Sequence, residues 1–167
     1  MKYKTKILLF CSSSFAFIGC DRVTKGLAKD HLINKETVSY FHDMLRLEYV
    51  ENTGAFLGLG SGLPSSASFA LLSFLPLIFL MILFVYAIKR SRNFNFWRMI
   101  SLALIFAGGI GNIIDRLLFD KHVSDFINIG IGDLRTGIFN FADVYVTLGV
   151  ISFLLFSLHG KPVLNNP

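Results

Sequence analysis

The stretch from Ala67 to Ile88 runs for 22 residues without a charge. That is enough for one helix to cross the hydrocarbon core of a bilayer, which takes about 20 predominantly apolar residues. Three other apolar runs accompany it. Ile7 to Cys20 follows Lys2, Lys4 and Lys6, Met99 to Ile114 continues past Asp115 and Arg116 into Leu117, Leu118 and Phe119, and Ile138 to Leu158 holds a single charge, Asp143. The first and third can cross only if their polar ends lie at the interface or inside a bundle. Charged residues are 16% of the 167 and hydrophobic ones 53%, against about a quarter charged in a soluble domain. A soluble core of this length could not hide so much apolar surface. The chain therefore reads as an all-α membrane protein, a bundle of four transmembrane helices in one membrane domain (residues 1–167). The spans fall near 7–25, 67–88, 98–119 and 138–158.

The charges assign the sides. Lys2, Lys4, Lys6, Lys89, Arg90, Arg92, Arg98 and Lys161 fall at one end of the runs with no acid among them, and the other end holds the remaining basic residues and all 11 acids. An excess of Lys and Arg marks the cytoplasmic side. Both termini and the loop 89–97 are thus expected in the cytoplasm, and the loops 26–66 and 120–137 outside it. The net charge of +5 comes from these short clusters, a topology signal rather than a nucleic-acid-binding face. In the first outer loop, Met44 to Val50 alternates in polarity as a strand does. Phe41 and the run Gly54 to Leu57 keep that loop apolar enough to lie on the membrane, so a small extracytoplasmic β element resting on the bundle is expected.

Cys11 and Cys20, on one helix, would be about 13 Å apart along its axis, too far for a disulfide. His31, His42, His122 and His159 show no metal-binding spacing, and neither metal nor cofactor is expected. A Lys-rich start ending in Phe17-Ile18-Gly19-Cys20 also looks like a lipoprotein signal peptide. Cleavage there would leave three spans and break the charge-consistent topology, so the segment is read as part of the first span.

Ionisable residues at the edge of spans are costly and are functional candidates by default. Asp21, Asp115, Asp125 and Asp143 all fall at the outer ends of spans or in the adjoining loop, the shared depth that a single site requires. Asp21 and Lys25 have the favoured i, i+4 spacing with the acid first and read as a structural ion pair. Gly108, Asn112 and Arg116 share one helical face. Glycines there mean either close helix packing or a bare groove, in which Asn112 bonds peptide groups and Arg116 a carbonyl or a lipid phosphate. Asp115 reads as the neutralising partner of a nearby base. Asp143 is either an N-terminal acid complementing a helix dipole or, with Asp125, half of a carboxylate pair. Such a pair shares one proton and activates water without a metal or a nucleophilic side chain. No Ser–His arrangement at matching depth competes with it.

Five blocks occur in order: Asp21-Arg-Val-Thr-Lys25, Glu51-Asn-Thr-Gly-Ala-Phe56, Gly108-Gly-Ile-Gly-Asn-Ile-Ile-Asp-Arg116, Val123-Ser-Asp-Phe126 and Phe139-Asn-Phe-Ala-Asp143. Together they resemble the bacterial lipoprotein signal peptidases (signal peptidase II) over nearly the whole chain. The resemblance implies an intramembrane aspartic endopeptidase of the bacterial cytoplasmic (inner) membrane. Its substrates would be diacylglyceryl-modified prolipoproteins, cleaved just before the lipidated cysteine. Asp125 and Asp143 would be catalytic. Asn52, Gly54, Gly108, Asn112, Arg116 and Asn140 would bind substrate or hold the dyad, with Asp21, Lys25 and Asp115 in support. Contact with membrane lipid, inhibition by globomycin-like cyclic peptides and a monomeric state are further expectations. Cys20 directly before Asp21 and a Gly/Ser-rich loop from Leu57 to Ser66 depart from the family pattern.

Two rivals make different demands. A small transporter or channel subunit would spread its acids through the membrane depth and interrupt its helices near the midplane, whereas here the acids gather at one end and the second span reads as unbroken. A scaffold whose polar helix ends only pack would keep its function when aspartates become asparagines.

Overall fold

The computed structural model describes residues 1–55 and 58–158; Phe56 and Leu57, like His159 and Lys161, lie outside the described residues. Four helices are long and apolar enough to cross a membrane: α1 (Tyr3–Leu32), α2 (Ser65–Arg90), α3 (Phe96–Leu118) and α4 (Phe141–Leu158). Each carries one of the four apolar runs. At 30 residues, α1 is about 45 Å long and extends well past its apolar run. Its polar outer turns stay helical because Asp21 and Lys25 point into the bundle and are buried there.

The second span departs from the expectation of an unbroken helix. It is α-helical at Ser65–Phe69 and Leu75–Arg90, with a π-helical stretch, Ala70–Phe74, between. Pro76 supplies the reason. It has no N–H to donate, and its ring crowds the carbonyl four residues earlier, so the ladder widens locally.

Helix α3 is the centre of the bundle and packs against α1, α2 and α4. Its start is fixed by Asn95, whose Oδ1 accepts from the Arg98 backbone N–H at 2.9 Å. Close approach to α4 depends on small residues. A Cβ on Gly108 would collide with the Ala142 carbonyl oxygen, and one on Gly149 would lie 2.8 Å from that of Ser101. Gly108 is therefore covered by α4. Its expected place in a substrate groove is corrected to helix packing, and the neighbouring Gly109 is the one that lines a cleft, with Leu80 side-chain atoms 2.7 Å from where its Cβ would stand.

The interior changes character along the bundle. Toward the chain's N-terminus it is apolar, built from Phe10, Leu83, Ala87, Met99, Leu102 and Ala103. There Arg98 donates through Nε and Nη2 to the Phe156 carbonyl, at 3.1 and 2.8 Å, and satisfies the end of α4. At the opposite end the interior is polar, with Asp21, Lys25, Asp115, Asp125 and Asn140 all buried.

That polar end carries an antiparallel sheet in the order β1 (Val38–Tyr40), β2 (Leu45–Asn52), β3 (Val123–Ile131) and β4 (Leu134–Arg135). The alternation at Met44 to Val50 marks β2. The longer β3 carries no alternation over its first four residues because all four are buried. A register shift between Leu47 and Val50 sets Val50 opposite Asp125 and Asn52 opposite Val123, the local re-aiming that a bulge produces. Phe139 then pairs with Ile127, its N–H donating to that carbonyl at 2.9 Å, and the start of α4 is brought beside β3.

The packing of α3 on α4 generates a test away from the polar end. Gly149→Leu should lower stability by about 1–3 kcal/mol, the usual cost of overpacking. Gly19→Leu, where an added Cβ meets nothing within 4 Å, should stay within about 0.5 kcal/mol of wild type. Thermal unfolding in detergent reads both, and equal losses would refute the glycine-dependent α3–α4 contact.

Candidate active site

Asp125 stands on β3 and Asp143 in the first turn of α4, and three asparagine amides hold them. Asn140 is the residue just before α4. Its Oδ1 accepts from the Asp143 backbone N–H at 3.1 Å, while its own backbone N–H donates to Asp143 Oδ2 at 3.1 Å. This reciprocal pair has the logic of a capping box. With its oxygen committed, Asn140 turns Nδ2 toward Asp125 Oδ1, 2.6 Å away. Asn52, at the end of β2, donates to Asp125 Oδ2 at 2.9 Å. Asn112, on α3, donates to Asp143 Oδ1 at 2.8 Å.

Asp125 is therefore met by one amide on each oxygen, and Asn140 contacts both carboxylates. Burial pushes the Asp125 carboxyl up to about 6, and the nearby charge of Asp143 adds to the rise. The Asn52 and Asn140 amides work against it by favouring the ionised form.

Both carboxylates line a cleft of about 400 Å³ between α2, α3 and α4. Leu71 and Leu72 of the π-helical stretch, with Pro76, form one wall, and Gly109, Asn112 and Arg116 form another. A second hollow of about 330 Å³ shares Asn52 and Asp125 with the first and continues past them, lined by Val50, Thr53 and Ser61 among others. Arg116 donates through Nη2 to the Gly54 carbonyl at 2.8 Å and ties the loop after β2 over the cleft. Gly54 is itself buried; a Cβ there would meet Gly58 backbone atoms at 2.6 Å. It shapes the loop, and the adjoining Ala55 is the residue that lines the cleft.

Behind this site lies a buried charge cluster. Lys25 Nζ is 3.0 Å from Asp21 Oδ2 and 2.9 Å from Asp115 Oδ2. Arg22 reaches Asp115 at 2.5 Å and Asp21 at 3.1 Å. Asp21 Oδ1 accepts from the backbone N–H of Ala142, in the first turn of α4, at 3.1 Å. Asp115 Oδ2 accepts from the Ser124 backbone N–H at 3.2 Å. The cluster has room because Gly111 has no side chain; a Cβ there would be 2.6 Å from Asp21 Oδ2.

The structure so brings Asn52, Asn112, Arg116, Asp125, Asn140 and Asp143 around one cleft, with Asp21, Lys25 and Asp115 directly behind. Sequence reasoning missed Arg22. The signal was its place beside Asp21 in the first block, where only the i, i+4 partner was weighed. Among the described residues no group of His, Cys, Asp and Glu is arranged to hold a metal ion.

Comparison with known proteins converges on one family. A family model described as Signal peptidase (SPase) II matches residues 13–159. The lipoprotein signal peptidase of Borrelia duttonii is 38% identical over 133 residues, covering 77% of this chain and 76% of the relative. That of Borrelia turicatae is 35% identical over 158 residues, covering 89% and 91%. A solved bacterial membrane enzyme, determined by the in meso method at 2.3 Å resolution, superposes with a TM-score of 0.75 at 28% identity, over 98% of this chain and 93% of that one. None of these findings supports a transporter or channel. The chain is a multi-pass membrane protein and belongs to the signal peptidase II family, the lipoprotein signal peptidases.

Proposed function

We propose that Asp125 and Asp143 are the catalytic pair with which this peptidase removes signal peptides from diacylglyceryl-modified prolipoproteins, cutting before the lipidated cysteine. The observation that carries the reading is the shared asparagine. Asn140 bonds both carboxylates, through its backbone N–H to Asp143 and its side-chain Nδ2 to Asp125, and Asp125 lines both adjoining hollows. Asp143 sits at the third position of α4, where the helix dipole and the Asn140 N–H meet a negative charge. It is assigned the ionised role, and Asp125, with its raised pKa, the shared proton.

The reaction follows from those roles. Asp143 takes a proton from water, whose oxygen attacks the carbonyl carbon preceding the cysteine. Asp125 gives its proton to the developing oxyanion, and the tetrahedral intermediate then collapses with cleavage of the C–N bond. A proton from the pair passes to the leaving amine of the cysteine. Asn112, Asn140 and Asn52 keep the carboxylates aimed, while Arg116 holds the loop over the cleft and presents its remaining donors to substrate carbonyls.

Placement belongs to the same proposal. The positive-inside charge bias puts the sheet end on the outer face of the bacterial cytoplasmic membrane and both termini in the cytoplasm. The site then lies at the depth of a cysteine anchored in the outer leaflet. A monomer supplies every residue named, and a cyclic peptide of the globomycin type would compete for the same cleft.

A gel-shift assay of a diacylglyceryl prolipoprotein tests the pair. Asp125→Asn and Asp143→Asn should each lower the rate on the order of 10³-fold or more while folded protein accumulates. Asp133→Asn, on the exposed turn between β3 and β4, should cleave at the wild-type rate. Cleavage by either site variant at more than a tenth of the wild-type rate would exclude the pair.

The pH profile tests the proton assignment. The competent form has Asp125 protonated and Asp143 ionised, so it is lost as pH rises through about 6. In free enzyme kcat/KM should fall about tenfold per pH unit beyond that limb. A flat profile from pH 6 to 9 would place the proton elsewhere.

A further inference from the structure

Lys25 is 3% exposed and its ammonium has three acceptors. Two are the carboxylates of Asp21 and Asp115; the third is the amide oxygen Oδ1 of Asn112, at 3.0 Å. An ammonium carries three donors and no acceptor. All three protons are thus committed, and the Asn112 atom that faces Lys25 has to be oxygen. The nitrogen at the other end of that amide is thereby turned toward Asp143 Oδ1, to which it donates at 2.8 Å.

Lys25 is the charged donor that holds that choice. The two ends of an asparagine amide are nearly the same size, and a flip would aim an oxygen lone pair at a carboxylate. The other donor to Asn112 Oδ1, Asn140 Nδ2 at 3.3 Å, is uncharged and longer, its second proton going to Asp125 at 2.6 Å. Charge balance does not account for the contact either. Lys25 and Arg22 together neutralise Asp21 and Asp115, yet the third Lys25 bond goes to a residue with no charge to neutralise.

We propose that Lys25, clamped between Asp21 and Asp115, is a positioning residue for the peptidase reaction: it locks the Asn112 amide as a donor to Asp143 and so fixes the aim of that carboxylate. The inference rests on the reading of Asp125 and Asp143 as the catalytic pair. Lys25 acts through Asn112, and its reach into the chemistry is one hydrogen bond long.

Two variants test it in steady-state cleavage of a diacylglyceryl prolipoprotein, with folded protein quantified by thermal unfolding. Lys25→Met removes the donor. The double variant Lys25→Met with Asp21→Asn removes it while keeping the buried charge balanced, and the new amide retains an oxygen for the Ala142 N–H. Misaiming a reacting group by about 1 Å costs on the order of 10²-fold, so kcat per folded molecule should fall by that factor with KM within about twofold. A structural role alone would lower the unfolding temperature and leave kcat per folded molecule at the wild-type value, which overturns the proposal.

Should neither variant accumulate in folded form, the wild type answers. In a ¹⁵N- and ¹³C-labelled sample, Asn112 Nδ2 should show a coupling across its hydrogen bond to the Asp143 carboxyl carbon. Exchange of that amide between two orientations overturns the proposal. A wild type that cleaves no diacylated prolipoprotein would instead remove the catalytic reading beneath it.

Discussion

A carboxylate carried into a membrane protein's interior has to be met by donors that the protein itself provides, because hydrocarbon offers none. Asp21 and Asp115 are fully buried here, and Asp125 nearly so. Asp21 is met by Lys25, by Arg22 and by the Ala142 N–H, which binds α1 to the first turn of α4. Asp115 is met by the same two cations and by the Ser124 N–H, which binds α3 to β3. The sheet does not simply rest on the bundle; it is fastened through a carboxylate. Even the missing side chain at Gly111 belongs to this requirement, since the Asp21 carboxylate occupies the space.

The same requirement explains what could be read in the sequence. Lipid as the solvent makes the spans obvious, because Ala67 to Ile88 and the other runs have no alternative use, and the shared depth of the acids follows from where those runs end. Strand β2 was legible because none of its residues is fully buried, so polar side chains can alternate with apolar ones from Met44 to Val50. Strand β3 was not, since Val123 to Phe126 are buried on both faces and show no period. The π-helical stretch was signalled only by Pro76, which a hydropathy count passes over. Gly108 and Gly109 look alike in sequence, and only the direction each faces assigns one to the α4 contact and the other to the cleft. The links from Lys25 and Arg22 across to α3 carry no linear signal, because contacts between separate helices leave none.

Shared architecture alone would not establish chemistry, since function resides in the site. Here the blocks whose sequence resembles the family are the segments that converge: Asn52 from β2, Asn112 and Arg116 from α3, Asp125 from β3, and Asn140 with Asp143 at the start of α4. Helix α2 contributes apolar wall and no ionisable group to the cleft. One flank is thus suited to an apolar signal-peptide segment, while the opposite flank offers the amides and the guanidinium that a peptide backbone needs.

Charge balance separates the two halves of the polar end. Asp21 and Asp115 are balanced by Lys25 and Arg22, so the rear cluster is neutral, tightly bonded and costly to disturb once formed. Asp125 and Asp143 have amides and one another, with Arg116 directed instead to the Gly54 carbonyl. Hydrogen bonds from neutral amides stabilise a carboxylate less than a paired cation does, so the uncompensated charge of the interior falls on this pair. Binding one proton relieves it, and in the proposed mechanism that proton divides the pair into an acid and a base. The neutral cluster behind keeps the geometry fixed, and the strain of unpaired charge is confined to the two groups proposed to be catalytic.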